Sequence, residues 1–456
     1  MVGRAGLRKL LSSKTPAVEA TLLWLFVFEF ALLVSLPGSW REEVVAAGFA
    51  GLLLVAWRQT RIAAESAGLL WLGVCALAFW MAVQPFLAVH SSSIGWKGGL
   101  VLLASFGAAA ALPMLNRDGR HDKALRYAFD AFEYFVVAQL ILSFFSGIGE
   151  FHGYRTGSVR AFGFLSDAIS PIVGFFIVRN AVEHRHLRCF VAAFALAVAG
   201  GKAALGMTLG TFIVLLLLTG ARPYWRPARN GVLALLGGYF CVQAAIALEV
   251  PPNQFYAMSL TEEEKRVSQI ELRPLHELRS MELGEVGAVR ALWRELPISF
   301  VQAGANRLLS YTAALEIIHR HPLVGAGFNR SHDYIPQMVR LNPGGINSLF
   351  VDPAVAWSTV TALHNPSLLV FAELGFIGFI LFWIVCIGIL AVFWKTRHDM
   401  RALPVAASAW GTTFVLLYQT TGWIEPGHPQ LVFLALCVGV AIEAQSRRTT
   451  MPGDAE

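Results

Sequence analysis

His364 and Asn365 stand in the stretch ALHNPSLLVFAELGFIGFILF, residues 362–382, where residue types and spacing point most directly to chemistry. Asn365 suits the position just before a helix, where its side-chain oxygen can accept a free backbone N–H. Pro366 suits the first helical position, because the N–H it lacks would have no partner there. A helix is therefore expected to begin at this point, with His364 immediately before its cap. The positive end of a helix dipole disfavours a charged imidazole. That field would help keep His364 neutral, and a neutral imidazole can take a proton from a hydroxyl. The plainer use of His364 is as a polar residue at the start of a membrane helix, and composition does not separate the two.

Four cations accompany the histidine. Arg155 and Arg160 lie in the loop HGYRTGSVRAFGFLS, residues 152–166. Lys202 sits at a polar junction between two apolar runs, and Arg307 opens a helix expected over 304–320. A guanidinium matches phosphate oxygens in a bidentate fork. Any one of these cations alone is as well explained by a salt bridge or by snorkelling. All four with one histidine on one side of a membrane form the pattern of a lipid-phosphate site. In HRHPLVGAGFNR, residues 319–330, Pro322, Gly325 and Gly327 predict a tight turn. Its amides either face a phosphate or simply end the helix. Glu29, Asp130 and Glu133 fall inside apolar runs. Such acids mark proton paths or pair with a cation in the bundle, and pairing is the expectation. No DxD-like acidic pair stands on the outer side, so neither metal nor other cofactor is expected.

These residues are embedded in a sequence built for lipid. The chain is 56% hydrophobic and only 14% charged, with mean hydropathy +0.57, against about 25% charged in soluble domains. A bilayer core of about 30 Å needs about 20 apolar residues in a helix. Runs fitting that length, or slightly short of it, are 17–37, 43–58, 66–86, 97–115, 125–146, 167–183, 188–201, 203–220, 230–249, 367–394, 402–422 and 428–445. The expected fold is an all-α polytopic membrane protein of about twelve transmembrane helices.

Loop charge orients it. Alternate loops carry Arg58 and Arg61; Arg117, Arg120 and Lys123; Arg179, Arg185 and Arg188; Arg222, Arg226 and Arg229; Lys395, Arg397 and Arg401. Cytoplasmic loops carry this excess, so both termini are expected in the cytoplasm. The net charge of +6 is thus a mark of orientation, and no nucleic-acid partner is expected. The basic N-terminus precedes a long apolar run without a cleavage pattern, so the first span is expected to be retained. The five cysteines lie in or beside apolar runs and form no CxxC, which indicates neither a disulfide framework nor a zinc site.

Segment 251–363 holds 21 of the 66 Asp, Glu, Lys and Arg residues, which sets it outside the lipid. It divides the chain into membrane helices over 1–250, an outer helical segment over 251–363, and membrane helices with a cytoplasmic tail over 364–456. A polar helix is expected to break near Pro274. The helix expected over 304–320 carries Leu308, Tyr311, Leu315 and Ile318 on one apolar face.

His364-Asn365, nine residues, then Gly375-x-x-Gly378 resembles the signature of bacterial O-antigen ligases. Residues 307–327 resemble that family's arginine-led helix ending in Pro-x-x-Gly-x-Gly, and residues 160–163 its R-x-x-G element. The twelve-span layout, with its largest outer loop before the histidine, also fits. Where the family often shows Ser-Arg-Gly, this chain reads Gly201-Lys202-Ala203, keeping the cation but losing the fork. The resemblance implies a GT-C-type glycosyltransferase of the bacterial inner membrane, acting at the periplasmic face. Its donor would be O-antigen on undecaprenyl pyrophosphate, its acceptor a hydroxyl of lipid A–core. His364 would be the general base, and Arg155, Arg160, Lys202 and Arg307 would bind the pyrophosphate. Asn365, Gly325 and Gly327 would support them. An O-antigen polymerase or O-linked oligosaccharyltransferase shares much of the signature, and a polysaccharide-lipid flippase suits the span count. The chain shows no internal repeat of the transporter kind.

Overall fold

The structure, a computed structural model, describes residues 67–87, 94–115, 122–146, 150–152, 158–160, 166–199, 202–248, 273, 298–360, 363, 365–399, 401–417 and 429–450. The apolar runs 17–37 and 43–58, Glu29, and the polar helix expected to break near Pro274 lie outside these residues. Helices dominate. They are α1 (Gly68–Val83, continued by a 3-10 turn to Phe86), α2 (Ile94–Leu115), α3 (Asp122–Ser146), α4 (Ser166–Val182), α5 (His186–Ala199), α6 (Lys202–Thr219) and α7 (Ala221–Ala247). Then come α8 (Ile298–Arg320) and three short helices, α9 (Ser331–Tyr334), α10 (Met338–Leu341) and α11 (Pro353–Ser358). The series ends with α12 (Pro366–Thr396), α13 (Ala402–Leu417) and α14 (Pro429–Thr450). Between α3 and α4, β1 (Glu150–His152) and β2 (Ser158–Arg160) form an antiparallel ribbon that pairs Glu150 with Arg160.

Among the described residues, three helical stretches, Gly68–Phe86, Pro366–Thr396 and Gln430–Arg447, are long and apolar enough to cross a membrane. Five further apolar helices are shorter, among them Ile169–Val182 and His186–Ala199. The core lies along α4 from Ile169 to Ala181 and α14 from Gln430 to Ala444, stretches that are buried on all sides and mostly apolar, as an enclosed helix must be. Phe433 of α14 stands at its centre, with ring centroids 5.0 Å from Phe175 and 5.0 Å from Trp410. The outer helices turn Leu72, Phe79, Leu217 and Phe240 outward, each more than two-thirds exposed. An apolar exterior of that extent is a surface for lipid tails.

The two ends of the bundle can be traced. At one end, Arg447 of α14 bonds Asp122 at the start of α3 and Glu443. Arg401, just before α13, bonds Asp399 at 2.9 Å. Gln445 of α14 donates to the carbonyl of Val392, near the end of α12, at 2.7 Å. Helix α3 therefore starts where α12 ends. Helix α4 runs back along α3, with Phe175 beside Phe129 and Arg179 on Asp130. Helix α5 returns beyond the turn at 183–185, and its Phe194 meets Phe144 late in α3. The ends of α3 and α5 and the starts of α4, α6 and α12 thus share the opposite end. The ribbon lies there too, against α3, α4 and α5.

Two sequence expectations need correction. The fully buried face of α8 is Leu309, Ser310, Ala313, Ala314 and Ile317; of the expected face, Leu308 and Ile318 pack partly buried against the core, and Leu315 is 59% exposed. The paired alanines let α8 come close to its neighbours, and that close fit decides the packed face over the bulkier side chains. Helix α12 is also not one straight span. Its 31 residues would reach about 46 Å at about 1.5 Å per residue, well beyond a core of about 30 Å. It breaks at Gly375, whose φ of 68° and ψ of −171° are not helical. Only the part after the break runs beside α1, where Gly73 faces Ile384 and Val385. The segment Pro366–Leu374 stands beyond the end of α1.

Candidate functional site at one end of the bundle

The cap expected at the head of α12 is present. Asn365 has extended backbone angles, its side-chain oxygen accepts from the N–H of Leu368, and Pro366 follows it. The bond is 3.0 Å long. Leu363 is buried just upstream. His364 and Arg155 lie outside the described residues.

Ten residues into α12, the break at Gly375 leaves carbonyls without helical partners. Another part of the chain supplies the donors. The turn after α8, Pro322–Gly327, lies against the break. Ala326 N–H donates to the carbonyl of Ala372 at 2.9 Å, and Gly327 N–H to that of Glu373 at 3.0 Å. In return, Phe376 N–H donates to the carbonyl of Pro322 at 2.9 Å. Two side chains of the α1 end complete the joint. Gln84 Nε2 bonds the carbonyls of Val324 and Glu373, and Trp80 Nε1 that of Leu374. The approach is so close that a Cβ on Gly325 would fall on Glu373 backbone, and one on Gly375 on the carbonyl of Leu323. Both glycines also have positive φ, a conformation that costs other residues energy.

This joint gives the Pro-x-x-Gly-x-Gly turn a definite use. The amides of Gly325, Ala326 and Gly327 all donate to backbone carbonyls of the protein. They are spent, so the phosphate contact considered for this turn is not open to them. Gly325 and Gly327 join two helices.

Helix α8 packs on α12, and both lead into the same joint. Arg307 lies 13 positions before Arg320, or about 20 Å up its helix. Asn365 lies 10 positions before Gly375, or about 15 Å up the other. Arg307 is exposed. Arg160 closes β2 and Lys202 opens α6, both at this same end of the bundle.

Beyond α8, residues 331–360 wrap into a small lobe around Asn347. Its amide donates to the carbonyls of Met338 and Val339, and its oxygen accepts from Trp357 Nε1 at 2.6 Å. Tyr334 bonds His321 at 3.1 Å, tying the lobe to the turn. Burial, helped by the Asp333 carboxylate, pushes the Tyr334 phenol above its usual range. Arg273 extends toward the same lobe, donating to the carbonyls of Leu349 and Phe350.

Asp130 and Glu133 belong elsewhere. Asp130 accepts from Arg179 at 2.6 Å and Arg185 at 2.8 Å, with Arg188 at 3.1 Å. Asn180 donates to Glu133. These are helix-to-helix pairs toward the far end of the bundle, as the pairing expectation held. The sequence reading passed over Glu373 and Gln84. Each carries a signal, a carboxylate and an amide within otherwise apolar stretches.

Comparison with models of known protein families gives no match, and comparison with curated proteins gives none. The likeness to O-antigen ligases therefore stands on the residues quoted above.

Proposed function

We propose that this chain is a membrane glycosyltransferase of the O-antigen ligase type. It spans the inner membrane about twelve times, with both termini in the cytoplasm and its site at the periplasmic face. The donor is a polysaccharide on undecaprenyl pyrophosphate, and the acceptor is a sugar hydroxyl of lipid A–core. His364 takes the proton of that hydroxyl as its oxygen attacks the anomeric carbon. The bond from that carbon to the pyrophosphate oxygen breaks, and configuration inverts. The leaving group is already good, so it calls for preorganised positive charge. Arg155, Arg160, Lys202 and Arg307 supply it, and neither nucleotide sugar nor metal is needed.

One observation carries this reading. The elements bearing Arg160, Lys202 and Arg307 gather at the bundle end where the Asn365-capped helix begins. A lipid diphosphate in the outer leaflet would sit at such an end, its polyprenyl chain against the apolar exterior.

The test is purified protein with lipid-linked polysaccharide and lipid A–core, without metal or ATP. A ladder of lipid A–core products supports the ligase. Donor chains that lengthen without lipid A–core would make it a polymerase. Donor crossing the bilayer with no new bond would make it a flippase. His364→Ala should abolish product while the protein keeps its wild-type melting profile.

A further inference from the structure

We infer that Glu373 is a positioning residue, clamping the helix of Arg307 to the helix headed by Asn365. Its consequence for transfer rests on the function proposed above; the clamp itself rests on geometry.

Glu373 is 3% exposed. Its carboxylate reaches out of α12 to the segment that follows the turn. One oxygen accepts from Asn329 N–H at 2.8 Å and the other from Ser331 N–H at 3.2 Å. Its main-chain carbonyl accepts from Gly327 N–H and from Gln84 Nε2. One residue thus holds three successive points of the chain leaving α8, together with the end of α1. No neighbour in α12 could replace it. A carboxylate presents two acceptor oxygens to two donors at once, whereas an amide presents one oxygen and a clashing NH₂. The break at Gly375 makes the clamp necessary. A helix interrupted there has lost its own ladder at the point where the outer segment Pro366–Leu374 must keep its angle. Without Glu373, the outer segment and α8 can rock apart about Gly375, which would change the position of Arg307 relative to Asn365.

The experiment uses the full-length protein in nanodiscs. Spin labels are placed on unnatural residues at positions 315 and 387, both exposed, one on α8 and one on α12 below the break. Double electron–electron resonance should give one narrow distance in the wild type. Glu373→Ala should broaden it severalfold and Glu373→Gln less, with Glu373→Asp nearer wild type. Glu316→Gln, which removes an exposed pair with Arg320 on α8, should leave it unchanged. In the transfer assay, Glu373→Gln should lower kcat by about 10–100-fold, the scale of ångström-size misplacement, with little change in KM. A distribution as narrow in Glu373→Gln as in the wild type overturns the clamp. A broadened distribution with wild-type kcat overturns the positioning role. Should Glu373→Ala fail to fold, the Gln and Asp variants decide the question. A wild-type protein that transfers nothing counts against the proposed function, and the distance measurement still decides the clamp.

Discussion

Gly375→Ala is the sharpest perturbation of the joint at the centre of the site. Its backbone angles, φ 68° and ψ −171°, lie where residues with a Cβ pay about 1–3 kcal/mol. The new methyl would also meet the carbonyl of Leu323 and the backbone of Val324. The variant has two ways out. It can keep the break and bear the strain, or straighten α12 and expel the turn. Expulsion forfeits the bonds from Ala326, Gly327 and Phe376, each worth about 0.5–1.5 kcal/mol net. A straightened helix regains ladder bonds, which offsets part of that loss. The expected cost is about 2–4 kcal/mol by either route. At about 2 °C per kcal/mol, the shallow end of the range for large domains, the melting temperature should fall by roughly 4–8 °C. Thermal unfolding in nanodiscs measures it. Gly206→Ala is the control, since a Cβ there meets nothing within 4 Å. It should leave the melting temperature unchanged, or raise it through helix propensity worth up to about 1 kcal/mol. If Gly375→Ala melted with Gly206→Ala, the break would not be built into the fold, and the account of the joint would be wrong.

Asp130→Ala leaves Arg179, fully buried, short of its closest carboxylate; unfolding should show a loss of about 3–5 kcal/mol, against at most about 1 kcal/mol for Arg320→Ala in an exposed pair. Asn365→Ala removes the cap of α12 and should cost about 0.5–2 kcal/mol, read as a lower melting temperature. Asn347→Ala strands Trp357 Nε1 and two carbonyls, and near-ultraviolet dichroism should show the lobe melting earlier, at a cost of about 1–3 kcal/mol. Cysteines placed at Arg160 and Asn365 should react with a membrane-impermeant maleimide from one side, and cysteines at Arg126 and Lys395 from the other. Labelling of 160 and 126 from the same side would break the tracing of the bundle ends.

The helices were legible because length and hydropathy specify them locally. Expected and observed boundaries for α3, α4 and α13 agree at their starts within three residues. The cap at Asn365 was legible for the same reason, since a side chain and an amide three residues on decide it. The break in α12 was not. Gly375 sits in an apolar run that reads as one helix, and only the turn 50 residues upstream makes a break cheaper than a straight helix there. The face of α8 was misread because Ala313 and Ala314 carry little hydropathy, yet close approach rewards small side chains. The lobe at 331–360 centres on the bond between Asn347 and Trp357, with no period for a sequence to show. Glu373 was visible as a lone carboxylate, but its two donors are backbone amides that leave no trace in residue type.

The bond from Asp130 to Arg179 also bears on how the protein is made. Asp130 leaves the ribosome 49 residues ahead of its partner. At their end of the bundle the cost of either charge alone is below that at the membrane centre, about 2.5–3.5 kcal/mol. The hairpin of α3 and α4 brings Arg179 to Asp130, and α5 adds Arg188. A nascent chain halted before Arg179 carries Asp130 without the cation closest to it in the folded protein.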